Sequence, residues 1–167
     1  MKWVITLSLI LLAVAIPLQR AQADSPSPPD FGPLASLIGE WQGKDSEGKP
    51  MTVSYQWTGG GTSLVETMAM SKKPAMTTMY HADKGRLMLT HYCKLGNQPR
   101  MRADIPESDA KRLAFKFVDA TNLAQPTDAH MHNMSFTFQD QDHFTQEWIL
   151  SKDGKELPHR FEFARVK

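Results

Sequence analysis

The sequence predicts an all-β fold in which about ten antiparallel strands form one sheet that buries one of its faces. Three observations support this prediction. From Gly39 onward the apolar residues recur with a period of two, the apolar runs are separated by short turns containing Gly, Asp or Asn, and only PLASLI (33–38) has the character of a helix. Closely spaced strands without crossover helices pair as antiparallel neighbours. A sheet with one apolar face is buried as a barrel or a sandwich, and a closed barrel leaves no exposed edge.

Ten segments alternate apolar and polar residues over the length of a single strand. They are Glu40–Lys44, MTVSYQWT (51–58), SLVETMAM (63–70), AMTTMYH (75–81), RLMLTHYC (86–93), QPRMRAD (98–104), RLAFKFVD (112–119), HMHNMSFTF (130–138), HFTQEWILS (143–151) and ELPHRFEFARV (156–166). The helical PLASLI segment precedes the first of them. There is no internal repeat, and we expect one domain over residues 34–167.

The first 23 residues have the layout of a secretory signal peptide. A positive start at Lys2 is followed by a nearly unbroken apolar run from Trp3 to Leu18, and the small residues Ala21 and Ala23 form a cleavage site. The run is short for a membrane-spanning helix, which needs about 20 apolar residues, although an uncleaved anchor is the alternative. We therefore expect a periplasmic or secreted protein with no stable membrane insertion after cleavage.

Composition restricts the possible partners. Residues 24–33 (DSPSPPDFGP) contain four prolines and no apolar periodicity, which is typical of an extended linker. Removing a 23-residue signal peptide that holds Lys2 and Arg20 turns a chain of 167 residues and net charge +1 into one of 144 residues and net charge −1. This near-neutral charge argues against nucleic acid as a partner. Cys93 is the only cysteine, so no internal disulfide can form.

The segment LIGEW (37–41) resembles the Gly-x-Trp start of the calycin superfamily, the lipocalins and their relatives. There a short helix leads into the first strand, and the tryptophan packs across the closed end of a barrel. Ten strands resemble the fatty-acid-binding and nitrobindin-like branches more than the eight-stranded lipocalins. The segments 80–101, 119–123 and 130–148 also resemble small exported bacterial proteins of unassigned function. The resemblance implies a single, roughly ten-stranded calycin-like β-barrel after a short helix, and it implies no activity.

Polar residues that share a strand face with apolar neighbours are the candidates for a ligand site. The inward side chains of a barrel this size either fill it or line a small-ligand cavity. We expect a cavity for a small apolar or amphipathic molecule, with one polar end. The predicted ligand-binding residues are Glu66, His91, Cys93, Met134, Gln146 and Trp148. The predicted apolar lining consists of Leu64, Met68, Leu89, Phe115, Met134, Phe136 and Trp148.

His130 and His132 are the candidate metal ligands. Residues i and i+2 of a strand point the same way, about 6.6 Å apart at ~3.3 Å per residue, so two imidazoles can converge on one ion. His91 or Cys93 could complete the set, and zinc accepts such nitrogen and sulfur ligands. The alternative is a pair of hydrogen-bonded histidines at the rim of the barrel that bind no metal.

His159 is a candidate haem ligand through resemblance alone. The ending HRFEFARVK (159–167) resembles that of nitrobindin-like barrels, in which a histidine on the last strand ligates haem iron. The stretch QGKDSEGKPMT (42–52) departs from that family, because it lacks the glycine-rich pattern ending in Tyr-Pro-Thr-Ile. A surface histidine is the alternative.

Three functions fit these observations. The favoured one is an exported small-ligand-binding barrel, for which no catalysis is assumed. The second is a metal- or haem-dependent enzyme or redox protein in the same barrel. The third is a barrel with a filled interior that binds other proteins through its surface. Cys93 as a nucleophile is disfavoured relative to an inert buried thiol, because a reactive cysteine needs an electropositive setting.

Overall fold

Ten antiparallel strands close into a single barrel in the computed structural model, which describes residues 28–45, 47–70 and 73–167. Each strand pairs with its neighbours in sequence, and β1 closes the barrel by pairing with β10. The predicted all-β barrel of about ten strands is therefore confirmed. The predicted signal peptide, residues 1–23, lies outside the described residues. The strands are β1 (Gly39–Lys44), β2 (Pro50–Thr58), β3 (Ser63–Met70), β4 (Lys73–Asp83), β5 (Arg86–Tyr92), β6 (Gln98–Ala103), β7 (Arg112–Thr121), β8 (His130–Phe138), β9 (His143–Lys152) and β10 (Lys155–Arg165).

A 3-10 helical segment, Pro28–Leu37, precedes β1 and packs against β4 and β5. The chain turns within it at Gly32, where φ is 49° and ψ is −134°, a conformation that glycine tolerates. Phe31 and Leu34 are buried in the core. Residues 28–33, which the sequence analysis assigned to an extended linker, therefore lie in this segment, because Phe31 anchors it to the barrel. No helix in the described part of the chain is long and apolar enough to cross a membrane.

One end of the barrel, which we call the plugged end, is covered by this helical segment together with Trp41 and Arg165. The indole of Trp41 is buried and donates a hydrogen bond to the carbonyl of Leu37 at 2.7 Å. The guanidinium of Arg165 lies 4.1 Å from the centre of the Trp41 ring. It also donates to the carbonyls of Ser36 and Ile38, at 2.8 and 3.0 Å. Trp41 thus links β1, β10 and the helical segment, as the resemblance to calycins implied.

The closure of the barrel depends on a glycine where β1 meets β10. Gly43 pairs with Phe163, and the two strands approach so closely that a Cβ atom on Gly43 would lie 2.2 Å from the carbonyl oxygen of Glu162. The same atom would lie 2.7 Å from the ring of Phe163. Both distances are far below van der Waals contact, so a side chain at this position would separate the strands.

The opposite end, which we call the far end, includes the turns 93–97, 122–129 and 153–154. Between the two ends, large side chains pack the interior of the barrel, and their burial supplies most of the stabilisation of the fold. The largest side chains that are fully buried are Trp41, Trp148, Tyr55, Tyr80, Phe115, Phe136, Phe144, Leu34, Leu37, Leu64, Met68 and Leu89.

Candidate functional site

The carboxylate of Glu66 lies at the centre of a hydrogen-bonded network inside the barrel. Glu66 is on β3 and is 1% exposed. Its Oε2 accepts hydrogen bonds from the hydroxyls of Tyr55 and Tyr80, both at 2.8 Å, and from Nε2 of Gln146 at 2.7 Å. Its Oε1 accepts from the hydroxyl of Thr78 at 3.3 Å. Four donors from three other strands therefore satisfy one buried acid.

Gln146 extends this network to Trp148. The Gln146 amide also donates to the Tyr55 hydroxyl at 2.7 Å, and its carbonyl accepts from the indole N–H of Trp148 at 3.2 Å. Both residues lie on β9 and point inward, as the alternation of β9 predicted. The structure thus brings together Glu66, Gln146 and Trp148, three of the predicted ligand-binding residues.

Burial dominates the acid–base properties of the network. Desolvation raises the pKa of Glu66, while the hydrogen bonds from Tyr80 and Tyr55 act in the opposite direction. Desolvation and the neighbouring charge of Glu66 raise the pKa of Tyr55 and of Tyr80 well above 10.0. Both tyrosines are therefore protonated at neutral pH and available as donors.

His91 continues the network toward the far end. Its Nδ1 lies 2.9 Å from the hydroxyl of Thr78, and its ring lies 4.4 Å from that of Trp148. Desolvation lowers the pKa of His91 from 6.5 to about 4, so the ring is neutral at neutral pH. Its Nε2 is buried and has no hydrogen-bond partner within the described chain. His91 is therefore satisfied on one side only.

The turn that follows His91 contains a second buried polar atom without a hydrogen-bond partner in the described chain, Oδ1 of Asn97. The N–H of Cys93 donates to the carbonyl of Asn97 at 3.2 Å, and the N–H of Gly96 donates to the carbonyl of Cys93 at 2.9 Å. The Asn97 side chain donates to the carbonyl of Ala129 at 2.9 Å, but its buried Oδ1 has no partner within the described chain. The Cys93 thiol is buried, and desolvation raises the pKa of that thiol. The segment 91–97 is thus both a hairpin turn and a polar corner of the interior.

Met134 and the predicted apolar lining belong to one hydrophobic core cluster. Met134 lies opposite Trp148 on the neighbouring strand and is 2% exposed. The other predicted lining residues are buried to the same degree. They are Leu64, Met68, Leu89, Phe115 and Phe136.

The register of β8 and β9 contradicts the prediction that His130 shares a strand face with Met134. His130 lies opposite Ser151, whereas Met134 lies opposite Trp148, so four residues of β8 span three residues of β9. This β-bulge, located between Met131 and Asn133, reverses the alternation of the strand. His130 therefore lies on the face of the sheet opposite to that of Met134 and Trp148.

His91 and Cys93 do not join His130 and His132 in a metal site in the described structure. Among residues 28–45, 47–70 and 73–167, no group of three or more His, Cys, Asp or Glu side chains lies close enough together to hold a metal ion. His159, on β10, lies opposite Trp148 of β9 and is half-buried. Its role as a haem ligand stays a prediction.

Two concavities lie away from the Glu66 network. The larger, about 1020 Å³, is lined by parts of β1, β2, β9 and β10, including Gln42, Gly43 and Glu162. The smaller, about 420 Å³, is lined mainly by the end of β7 and the turn 122–129, together with His130 and His132. Neither is lined by the side chains of the central network.

Sequence reasoning missed four residues of the network and its corner. Tyr55 and Tyr80 read as apolar positions of β2 and β4, and Thr78 as an ordinary strand residue. Asn97 read as a turn former only. The alternation of side chains along β4 could have identified Thr78 and Tyr80. These residues alternate with outward residues in the same way as Glu66 does on β3, so they point inward.

Comparisons with known proteins support the fold and add no activity. No protein-family model and no curated protein matches the chain. A structure of a protein of unknown function from the DUF3598 family of Nostoc punctiforme PCC 73102 is similar, with a TM-score of 0.52 and 12% sequence identity over 80% of this chain. The chain spans about half of that protein, 49% of its length. A structure of EF1p2_mFAP2b bound to DFHBI has a TM-score of 0.35 and 11% identity, covering 82% of this chain and 99% of the other.

Proposed function

We propose that this protein is an exported, calycin-like barrel that binds a small amphipathic molecule at the far end of its interior, beside His91, Asn97 and Trp148. The observation that carries the proposal is the pair of buried acceptors, His91 Nε2 and Asn97 Oδ1, which have no donor within the described chain. A buried polar atom without a partner costs about 1–3 kcal/mol, and such atoms are rare in folded proteins. A bound molecule with donor groups would satisfy both. The proposal assumes no catalytic step.

The hydrogen-bond chain determines what His91 can recognise. In the arrangement in which the Thr78 hydroxyl donates to Glu66, the Thr78 oxygen accepts from Nδ1–H of His91. Because the ring is neutral at neutral pH, Nε2 then carries a lone pair. The matching group on the ligand is a hydroxyl or an N–H that donates to Nε2.

Asn97 imposes the same requirement. Its Nδ2 is engaged by the carbonyl of Ala129, which leaves Oδ1 as an acceptor. The surroundings are apolar, with the indole ring of Trp148 against His91 and a protonated thiol at Cys93. A neutral molecule with an apolar body and one or two donor groups fits this corner best.

Access to the corner is proposed from the far end. The plugged end is blocked by Trp41 and Arg165 beneath the helical segment. At the far end the inward side chains of Leu150 and His159 are only half-buried, and that of Leu157 is 42% exposed. The buried tryptophan of the Gly-x-Trp segment, Trp41, covers the plugged end, which supports placing the barrel among the calycin-like folds.

Export rests on the N-terminal sequence. The signal-peptide layout of residues 1–23 supports a periplasmic or secreted location. A buried single thiol at Cys93 suits an oxidising compartment, because burial protects it from intermolecular disulfide formation. Mass spectrometry of the protein recovered from cells that express the full chain tests this part. A mature N-terminus at Asp24 supports export, and an intact N-terminus in the cytoplasm contradicts it.

Two probes of nearly the same shape test the binding proposal. We would titrate the protein with 2-naphthol, which has one hydroxyl donor, and with 2-methoxynaphthalene, which has none, and follow tryptophan fluorescence. We expect 2-naphthol to bind about tenfold to a hundredfold more tightly, since the methyl ether leaves Nε2 of His91 unsatisfied.

The variant His91→Phe keeps a ring against Trp148 and removes the acceptor, so the preference for 2-naphthol should disappear. His143→Phe is the matched control, because His143 is exposed and pairs with Asp140 at 2.9 Å. Equal affinities for the two probes in the unmodified protein, or no binding of either, would contradict the proposal and favour a filled barrel.

A further inference from the structure

The middle of strands β2–β5 presents twelve outward residues, none of which is Lys, Arg, Asp or Glu. The inward positions of these strands include Tyr55, Glu66, Thr78 and His91, each no more than 2% exposed, so the residues between them point outward. The strand registers arrange the outward residues in three rows, which we call together the β2–β5 face. The rows are Thr58, Ser63, His81 and Met88; Gln56, Val65, Met79 and Thr90; and Ser54, Thr67, Thr77 and Tyr92.

The outer surface of the other strands is charged. Two ion pairs lie on it, Arg100 with Asp119 and Arg160 with Glu162. Its charged outward residues include Lys44, Arg100, Arg102, Lys116, Asp119, Glu147, Arg160 and Glu162. About 25–35% of the surface residues of a soluble domain are charged, so twelve surface positions would ordinarily hold about three or four charges. The β2–β5 face is thus distinct from the rest of the barrel.

The β2–β5 face is accessible to a partner. All of its residues except Met88 are at least partly exposed, and Met88 is covered by Arg102, whose Nε donates to Sδ at 3.2 Å. Tyr92 is 51% exposed at the far-end edge of the face, and Leu95 in the adjoining turn is 48% exposed. Tyrosine is enriched at protein interfaces, so this edge extends the candidate contact surface.

The chemistry of the β2–β5 face is complementary to itself. Its central residues on the two middle strands, Val65 and Met79, are apolar and lie opposite each other. Seven of the twelve residues carry a hydroxyl, which both donates and accepts a hydrogen bond, so facing hydroxyls of two copies can pair. An apolar centre with a polar rim is the usual anatomy of an interface. A charged partner would bury its charges against groups that cannot neutralise them, which costs free energy.

The size of the face sets the strength of the contact. The barrel is closed, so two copies meet through sheet faces and not by pairing strand edges. Four strands at about 4.8 Å and three rows at about 6.6 Å give a projected area of about 380 Å². Standard interfaces bury about 800 Å² per partner, and smaller ones are weak and transient. The area therefore suits a reversible pair.

We propose that two copies of this chain form a weak symmetric dimer through their β2–β5 faces, with the two-fold axis near Val65 and Met79. Because each copy uses the same face, the contact closes at two copies. The surface lies outside the barrel interior, so the dimer does not rest on ligand binding at His91.

The test is sedimentation equilibrium of the full-length gene product, in the form recovered from cells, at concentrations up to about 1 mM. We expect a reversible monomer–dimer equilibrium with a Kd of about 10–500 μM. Met79→Lys should raise the Kd at least about tenfold, because like charges then meet near the axis. Ile149→Lys is the matched control and should change the Kd by less than about twofold, since Ile149 is a half-buried outward residue of β9.

A charge exchange tests the symmetry. Met79→Glu alone should also weaken the dimer at least about tenfold, whereas an equal mixture of Met79→Lys and Met79→Glu should associate as well as the unmodified protein or better, because opposite charges then meet. Far-UV circular dichroism establishes that each variant is folded, and Val65→Lys with Val65→Glu replaces a pair that is not.

Any of three results would overturn the proposal. The first is a protein that stays monomeric at about 1 mM. The second is a Kd that Met79→Lys leaves unchanged, or that Ile149→Lys raises as much, which would place the contact elsewhere. The third is a mixture of the two Met79 variants that associates no better than either alone, which would exclude a two-fold axis at this face.

Discussion

Replacing Glu66 by Met removes the acceptor at the centre of the barrel while nearly preserving the volume of the side chain. Tyr80 then loses its acceptor within the described residues, and Gln146 keeps one of the two bonds that its amide donates. Tyr55 still accepts from Gln146, but its own hydroxyl no longer has Glu66 as an acceptor, whereas Thr78 can turn its hydroxyl toward Nδ1 of His91. Three buried donors, on Tyr55, Tyr80 and Gln146, are therefore left unsatisfied.

The expected loss follows from this count. An unsatisfied buried donor costs about 1–3 kcal/mol, so the three donors of Glu66→Met should lower the free energy of unfolding by about 3–9 kcal/mol. Domains of this size are stable by only about 5–15 kcal/mol, so the change should be large in a urea titration at pH 7. Glu66→Gln is the matched control, because its carbonyl can accept from Tyr55 and Tyr80 and its amide can donate to Thr78. We expect it to lie within about 1 kcal/mol of the unmodified protein.

The pH dependence gives an independent check with a definite sign. Burial raises the pKa of Glu66 above its ordinary value of 4.5, so the folded state holds this proton more tightly than the unfolded state. The contribution is fully present below pH 4.5 and is lost as the pH rises through the folded pKa. The stability of the unmodified protein relative to Glu66→Gln should therefore decline with rising pH in this window.

Glu66→Gln should also change the tautomer of His91. The new amide donates to the Thr78 oxygen, so the Thr78 hydroxyl must donate to Nδ1 and the ring proton moves to Nε2. Nitrogen chemical shifts of the imidazole report this directly. A loss below about 1 kcal/mol in Glu66→Met, or an unchanged tautomer in Glu66→Gln, would refute the network as described.

Three further predictions concern other parts of the barrel. The pKa of His91 falls from 6.5 to about 4 on folding, so the unfolded state binds more protons between these values. This residue should lower the stability by about 3 kcal/mol as the pH drops through that window, and urea titrations of His91→Phe should lack this contribution. Arg165→Met should lower the free energy of unfolding by about 2–4 kcal/mol in a urea titration, because it removes hydrogen bonds to the carbonyls of Ser36, Ile38 and Gln141 together with a cation–π contact. Arg160→Met, at an exposed position, should change it by less than about 0.5 kcal/mol in the same assay. Gly43→Ala should cost about 3 kcal/mol or more in the same assay, because the added carbon meets a carbonyl oxygen of β10 at 2.2 Å, whereas Gln42→Ala on the outer face should cost little.

The fold was predictable because its determinants are local. Alternation with a period of two identifies each strand within its own segment, and the turns identify where each strand ends. The ten predicted segments correspond to β1–β10, with bounds that differ by a few residues. The helical segment was harder, because one buried residue, Phe31, decides that the chain packs at residues 28–33, and proline-rich composition conceals that anchor.

Only those features of the site that depend on the alternation of inward and outward side chains along a strand could be predicted. Glu66, His91 and Gln146 were placed in the interior correctly, because inward direction depends only on the alternation of each strand. Their partners depend on the register between strands that are far apart in sequence, which alternation does not encode. The bulge that moves His130 to the other face is likewise a property of two paired strands, since one extra residue in β8 has no counterpart in β9.

The contrast between the centre and the far end of the barrel is the strongest indication of function. At the centre, the fold satisfies a buried carboxylate with four donors. A few residues away it leaves His91 Nε2 and Asn97 Oδ1 without any donor in the described chain. A buried acceptor left without a donor costs about 1–3 kcal/mol, against a total stability of about 5–15 kcal/mol for such a domain. A molecule that donates to both atoms would restore this free energy on binding, so occupancy of the corner and stability of the barrel are thermodynamically linked.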